Sequence, residues 1–160
     1  MPAFNHPYFG LLDSDAIEDD VDVLWESEAD VAGRSVEIQI WARQGAEADA
    51  AELDQFAERL QNLAELDRRA RAALVRYLQD DGEYISLHRE EMDGGDALPA
   101  EPAVFADAMT LYGIALWHQD PFGEGDALVL DYMIDPERSD QILAVSCTAA
   151  GDITGVNWES

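Results

Sequence analysis

The chain has 160 residues, 48% of them hydrophobic, and its 35 acidic against 9 basic side chains leave a formal charge of −26. That size supports one domain, 1–160, with a core of its own, and the single cysteine, Cys147, excludes an intrachain disulfide. A surface this acidic repels nucleic acid and anionic membranes and attracts basic partners.

Residues 1–13 gather Phe4, Tyr8, Phe9, Leu11 and Leu12 around His6-Pro7 and Gly10, too many large apolar groups to hang in water, so the segment is expected to pack back on the core. It has no basic segment and no long apolar run of the kind a signal peptide carries. No stretch approaches the ~20 apolar residues that span a bilayer, so a cytoplasmic protein is expected. The acidic run at 13–20, DSDAIEDD, fails the calcium-loop pattern, with Ile17 at its fifth position and no glycine at its sixth, and reads as a solvated face.

From Asp20 to Ala32 apolar and acidic residues alternate. Val21, Val23, Trp25, Ser27, Ala29 and Val31 form a dry face, and Asp20, Asp22, Leu24, Glu26, Glu28 and Asp30 a wet one, which is the period of a strand. Gly33-Arg34 fits a two-residue turn with glycine first. That turn would pair Val31 with Val36, Ala29 with Ile38, Ser27 with Ile40 and Trp25 with Ala42, and would set Asp30 opposite Glu37 on the wet face. Trp41 alternates onto the wet face as well.

Residues 47–79 have helical periodicity, with Leu53, Phe56, Leu60 and Leu63 on one stripe and Ala70, Leu74 and Leu78 continuing it. A break near 64–67 is expected, with Asp67 capping a second helix. EYISLHREEM fits a short strand or a helix, and 102–109 a short helix. Four strands follow, Leu111–His118, Ala127–Ile134, Gln141–Thr148 and Ile153–Trp158. The order ββαα(α)ββββ predicts an α+β fold, an antiparallel sheet of five to seven strands with two main helices packed on one face. Its core should include Val36, Ile38, Ile40, Leu53, Phe56, Leu60, Leu74, Leu130, Tyr132, Leu143 and Val145.

At FNHPYFG (4–10), DYMIDPERSDQILAV (131–145) and the terminal WES (158–160), the chain resembles an uncharacterised bacterial family, a domain of unknown function. The resemblance covers both ends of the chain and brings no activity with it. Small acidic α+β domains of this general look are often found beside polymorphic toxins as proposed immunity proteins, an association rather than a mechanism.

The chemistry-bearing residues are sparse. His6, His88 and His118 are far apart and lack second ligands at metal spacing, so no metal or cofactor is predicted. Cys147 with His118 is the one tempting nucleophilic pair, but a cysteine inside a strand is ordinarily an inert small hydrophobe. The leading reading is a non-enzymatic acidic interaction protein. A rigid sheet would present Asp20, Asp22, Glu26, Glu28, Asp30 and Glu37, with Trp41 as anchor, to a basic protein partner such as a toxin or effector. Two rivals stand beside it: a small-ligand-binding protein or enzyme with a pocket elsewhere, and an acidity that is only a surface adaptation. The oligomeric state is open.

Overall fold

The long hairpin near the N-terminus sets the geometry of the sheet. The computed structural model describes residues 3–160. In it β3 (Val21–Val31) pairs antiparallel with β4 (Arg34–Arg43). Their turn is Ala32-Gly33 rather than the expected Gly33-Arg34, and both residues have positive φ, 52° and 81°. A two-residue turn with two positive φ values matches the twist of the strands it joins. The register is therefore two residues away from the expected one: Ala29 faces Val36, Ser27 faces Ile38 and Trp25 faces Ile40. A two-residue shift leaves each side chain on its own face, so the dry and wet sides of this part of the hairpin are as the alternation implies.

A second departure does move side chains. A β-bulge lies between Val23 and Trp25, so that Val23 faces Trp41, Asp22 faces Ala42 and Val21 faces Arg43. One extra residue reverses the alternation beyond it. Val21 and Val23, expected on the dry face, point to the same side as Trp41. Asp22, expected on the wet face, shares the opposite side with the fully buried Ala42.

The helices follow as α1 (Ala50–Gln61), α2 (Leu63–Asp80), α3 (Glu83–Glu91) and α4 (Pro102–Ala108). Asp49 caps α1 by accepting a hydrogen bond from the Glu52 amide at 3.2 Å. The break falls at Asn62, not at 64–67. Asp67 is interior to α2, where it pairs with Arg71 at 3.1 Å and accepts from the Tyr132 hydroxyl at 2.6 Å. The ambiguous 83–91 segment is helical because Tyr84, Ile85 and His88 fall on one buried side at helical spacing.

Strands β5 (Thr110–Trp117), β6 (Leu128–Met133), β7 (Ile142–Cys147) and β8 (Ile153–Glu159) complete a six-stranded sheet in the order β3-β4-β5-β6-β7-β8. The fold is α+β in the expected element order. It is not wholly antiparallel, since β5 runs parallel to β4, with Ile38 facing Ile114 and Ile40 facing Leu116. The helical segment between them is the crossover that a parallel pair requires.

Helices and sheet share one core, in which Leu53, Phe56, Leu74, Tyr84 and Phe105 meet Val36, Ile40, Leu116, Leu130, Tyr132, Leu143 and Val145. Every residue named above as core is buried. The N-terminal segment forms a small hairpin of β1 (Phe4–His6) and β2 (Gly10–Leu12). It does pack back, through Phe9 and Leu12, while Tyr8 and Leu11 stay exposed. Among the described residues no helix is long and apolar enough to cross a membrane.

Candidate partner-binding face

A six-stranded sheet with its helices on one side has a second side. The registers put Glu28, Glu37, Gly113, Asp131, Ala144 and Asn157 in one row across it. The adjacent row is Glu26, Gln39, Ala115, Val129, Ser146 and Gly155, and Val23, Trp41 and Trp117 begin a third. Val21, Val23, Trp41, Ala115, Trp117 and Val129 all lie outside the core cluster that the helices complete. The middle of the face is low, because Gly113, Ala115, Ala144, Ser146 and Gly155 carry little or no side chain.

At one end the floor rises into aromatics. The rings of Trp41 and Trp117 stack with centroids 5.5 Å apart and an interplanar angle of 26°, and Phe122 meets Trp117 edge-on at 5.6 Å. Phe122 is 60% exposed. A loop residue of that size left in water beside two half-buried tryptophans makes an apolar patch of the kind that marks contact sites.

Carboxylates line the hairpin side. Glu28 stands directly opposite Glu37, and Glu26 opposite Gln39. The Gln39 amide donates to Glu37 at 3.0 Å and reaches Glu26 at 3.5 Å, and the Ser35 hydroxyl donates to Glu28 at 3.2 Å. Their nearest donors are thus neutral, and among the described residues no ion pair involves Glu26, Glu28, Asp30 or Glu37. Two like charges directly opposite in a sheet cost stability that a cation laid between them would recover.

Asp131 sits on the same face in mid-sheet. Burial, with a smaller contribution from the charge of Glu159, pushes its carboxyl up to about 6.

Of the residues expected to form a partner face, the structure brings Glu26, Glu28, Asp30, Glu37 and Trp41 onto one side. It does not bring Asp22, which the bulge turns to the other side. Asp20 precedes β3, and its carboxylate is taken at 3.2 Å by Arg43, which lies on the Trp41 side of β4. Trp117, Phe122 and Asp131 join the face without having been singled out for it. The alternation of Trp117 with Ala115 was visible in the sequence, but nothing local announces the parallel pairing that sets it beside Trp41.

The remaining chemistry-bearing groups have local roles. In the loop after β5, Asp120 binds the backbone N–H groups of Glu124 and Gly125 at 2.8 and 3.0 Å, while Asp126 accepts from Thr154. Asp126 thus ties the loop to β8, and Asp120 closes the loop's turn. Asp13 does the same for Asp15 in the acidic run. His6 Nδ1 accepts from the Tyr8 amide, which leaves Nε2–H to donate to Asp54 at 2.8 Å. His118 accepts from the Asp49 amide through Nε2, and burial pulls its pKa below the ordinary value. Cys147 is fully buried, and burial pushes its thiol up to about 11, the wrong direction for a nucleophile. Among the described residues no group of three or more His, Cys, Asp or Glu is placed to hold a metal ion. Comparison with protein-family models, with curated proteins and with solved structures finds no match to this chain.

Proposed function

We propose that this chain is an acidic interaction protein that binds a basic protein partner across the helix-free face of its sheet. The observation that carries the reading is the composition of that face: an apolar, aromatic set excluded from the core, beside Glu26, Glu28 and Glu37, which form no ion pair among the described residues. A monomer has no evident use for a stacked tryptophan pair and an exposed phenylalanine on the open side of its sheet, whereas an interface core does.

The mechanism is steric and electrostatic. The Glu26, Glu28 and Asp30 side chains project about 6.6 Å apart along β3, and Glu37 adds a second line about 4.8 Å away on β4. Such an array steers a cationic surface into register and accelerates encounter. The low floor from Gly113 to Gly155 admits a protruding element, and Trp41, Trp117 and Phe122 supply the apolar anchor. Asp131 adds a driving force of its own, because a cation brought against a half-buried carboxylate relieves the cost of ionising it. In its most concrete form the protein is a cytoplasmic immunity protein that occludes the positive cleft of a basic toxin or effector, the kind of partner with which small acidic α+β domains are associated.

The test is affinity capture from the native host with two baits, the wild-type chain and the combined Glu26→Arg, Glu28→Arg, Glu37→Arg variant. The proposal expects a basic protein retained by the first and lost from the second at low ionic strength. Equal retention by both baits would move the interface elsewhere. A bare wild-type bait would favour acidity as a surface adaptation alone.

A further inference from the structure

On the helical side, away from the partner face, an open cavity of about 490 Å³ lies between α3 and the turn that follows β6. Ser139 lines it, half-buried, and its Oγ is 2.7 Å from Nε2 of His88. The other ring nitrogen of His88, Nδ1, is 2.7 Å from the Tyr84 carbonyl oxygen. A carbonyl only accepts, so Nδ1 carries the proton and Nε2 presents its lone pair to the serine hydroxyl. Ser139 Oγ also accepts a hydrogen bond from the Gln141 amide at 3.1 Å. With its proton given to His88 and one lone pair given to Gln141, the oxygen keeps one lone pair for attack.

The arrangement is held from both sides. His88 is 2% exposed, with the Tyr84 ring against it at 4.3 Å. The carbonyl of Gln141 accepts from the Tyr84 hydroxyl at 2.7 Å, and its side-chain oxygen accepts from the Trp158 indole at 2.8 Å. Ser139 N–H is tied to the Asp135 carbonyl at 2.9 Å. A nucleophile within hydrogen-bond reach of a base, and that base oriented by a third group, is the general signature of covalent catalysis.

We infer that Ser139 and His88 form a nucleophile–base pair and that the cavity beside them takes a small neutral or cationic carboxylic ester. Ser139 Oγ bonds to the acyl carbon while its proton passes to Nε2 of His88, whose Nδ1–H bond to Tyr84 steadies the resulting cation. The bond from the acyl carbon to the alcohol oxygen breaks as that proton moves on to the leaving oxygen. Water then attacks the acyl-serine, its proton passing through Nε2 back to Ser139, and a carboxylic acid leaves. Arg138, besides His88 the basic side chain among the described lining residues, pairs with Asp135 through Nε at 3.6 Å and donates to the Asp93 carbonyl through Nη1 at 3.3 Å, which leaves Nη2 as its nitrogen for the developing oxyanion. Glu91, Glu137 and Asp140 line the same cavity and leave it net negative, which disfavours anionic esters.

The test is labelling of the intact protein with a fluorophosphonate probe, which forms a phosphorus–oxygen bond to an activated serine with loss of fluoride, together with turnover of p-nitrophenyl acetate. The expected result is one label per chain on the peptide containing Ser139, absent from Ser139→Ala measured below its melting transition, where its circular dichroism matches wild type. His88→Gln should slow both reactions by about 100-fold or more. If that variant unfolds, Ser139→Ala alone decides, read on folded protein, since alanine fits the half-exposed position and loses only the hydroxyl's two hydrogen bonds. Labelling no greater than in heat-denatured protein, or labelling that survives Ser139→Ala, would overturn the inference and leave the pair as a fastening between α3 and the turn. Faster turnover of an anionic half-ester such as p-nitrophenyl succinate would overturn the assigned substrate class.

Discussion

Replacing Asp131 by Asn should stabilise the protein at neutral pH and do progressively less as the solution is acidified. The carboxyl is pushed up to about 6 in the folded chain, against about 3.9 when the chain is unfolded. Two units correspond to about 3 kcal/mol at 1.36 kcal/mol per unit, and water reaching this partly exposed site reduces that to about 1–2 kcal/mol. Between these two values the folded state holds more protons than the unfolded one, so the stability contributed by this residue falls as pH rises. Below about pH 4 both states are protonated and no cost is paid, whereas above about pH 7 the full cost is present.

Urea denaturation of wild type and variant at pH 4, 5, 6 and 7.5 measures this directly. The difference between the two proteins cancels the titration of the other acidic residues to first order. It should grow by about 1–2 kcal/mol in favour of Asn between pH 4 and 7.5. A flat difference, or one that shrinks as pH rises, would refute the claim that burial strains this carboxylate, and with it the driving force ascribed to Asp131 in binding.

Two further outcomes concern the framework. Ala32 holds φ at 52° in the β3–β4 turn, a conformation costly for alanine, so Ala32→Gly or Ala32→Asn should raise unfolding free energy by about 1 kcal/mol; a loss in denaturant melts would contradict the turn geometry. Cys147 is fully buried with its thiol pushed up to about 11, so thiol reagents at pH 7–8 should label native protein far more slowly than urea-unfolded protein. Equal rates would mean that β7 opens readily.

The hairpin shows what the sequence discloses and what it hides. Period-two alternation marks both strands and assigns Glu26, Glu28, Asp30 and Trp41 to one face, because the side-chain period survives a two-residue change of register. The bulge reverses the assignment of Asp22 and of the two valines before it. Its trace was Leu24, an apolar residue in an otherwise acidic row, which packs against the core.

The break in the helices was misplaced for a different reason. Asp67 has the identity of a cap, but a tertiary partner, Tyr132, together with Arg71 one turn on, holds it inside α2. Pairings between distant segments left no local mark at all. Trp41 meets Trp117 only because the chain crosses over to make a parallel pair, and His88 meets Ser139 only because the turn after β6 folds onto α3.

The most direct measurement of the partner-face reading is hydroxyl-radical footprinting of the chain alone and in complex with the captured basic protein. Trp41, Trp117 and the 60%-exposed Phe122 should lose reactivity on binding, while the exposed Val104 and Leu11 on α4 and β2 keep theirs. Protection confined to Val104, Leu11 or the helices, with Trp41, Trp117 and Phe122 as reactive in the complex as in the free chain, would place the partner on the other side of the molecule and contradict the account.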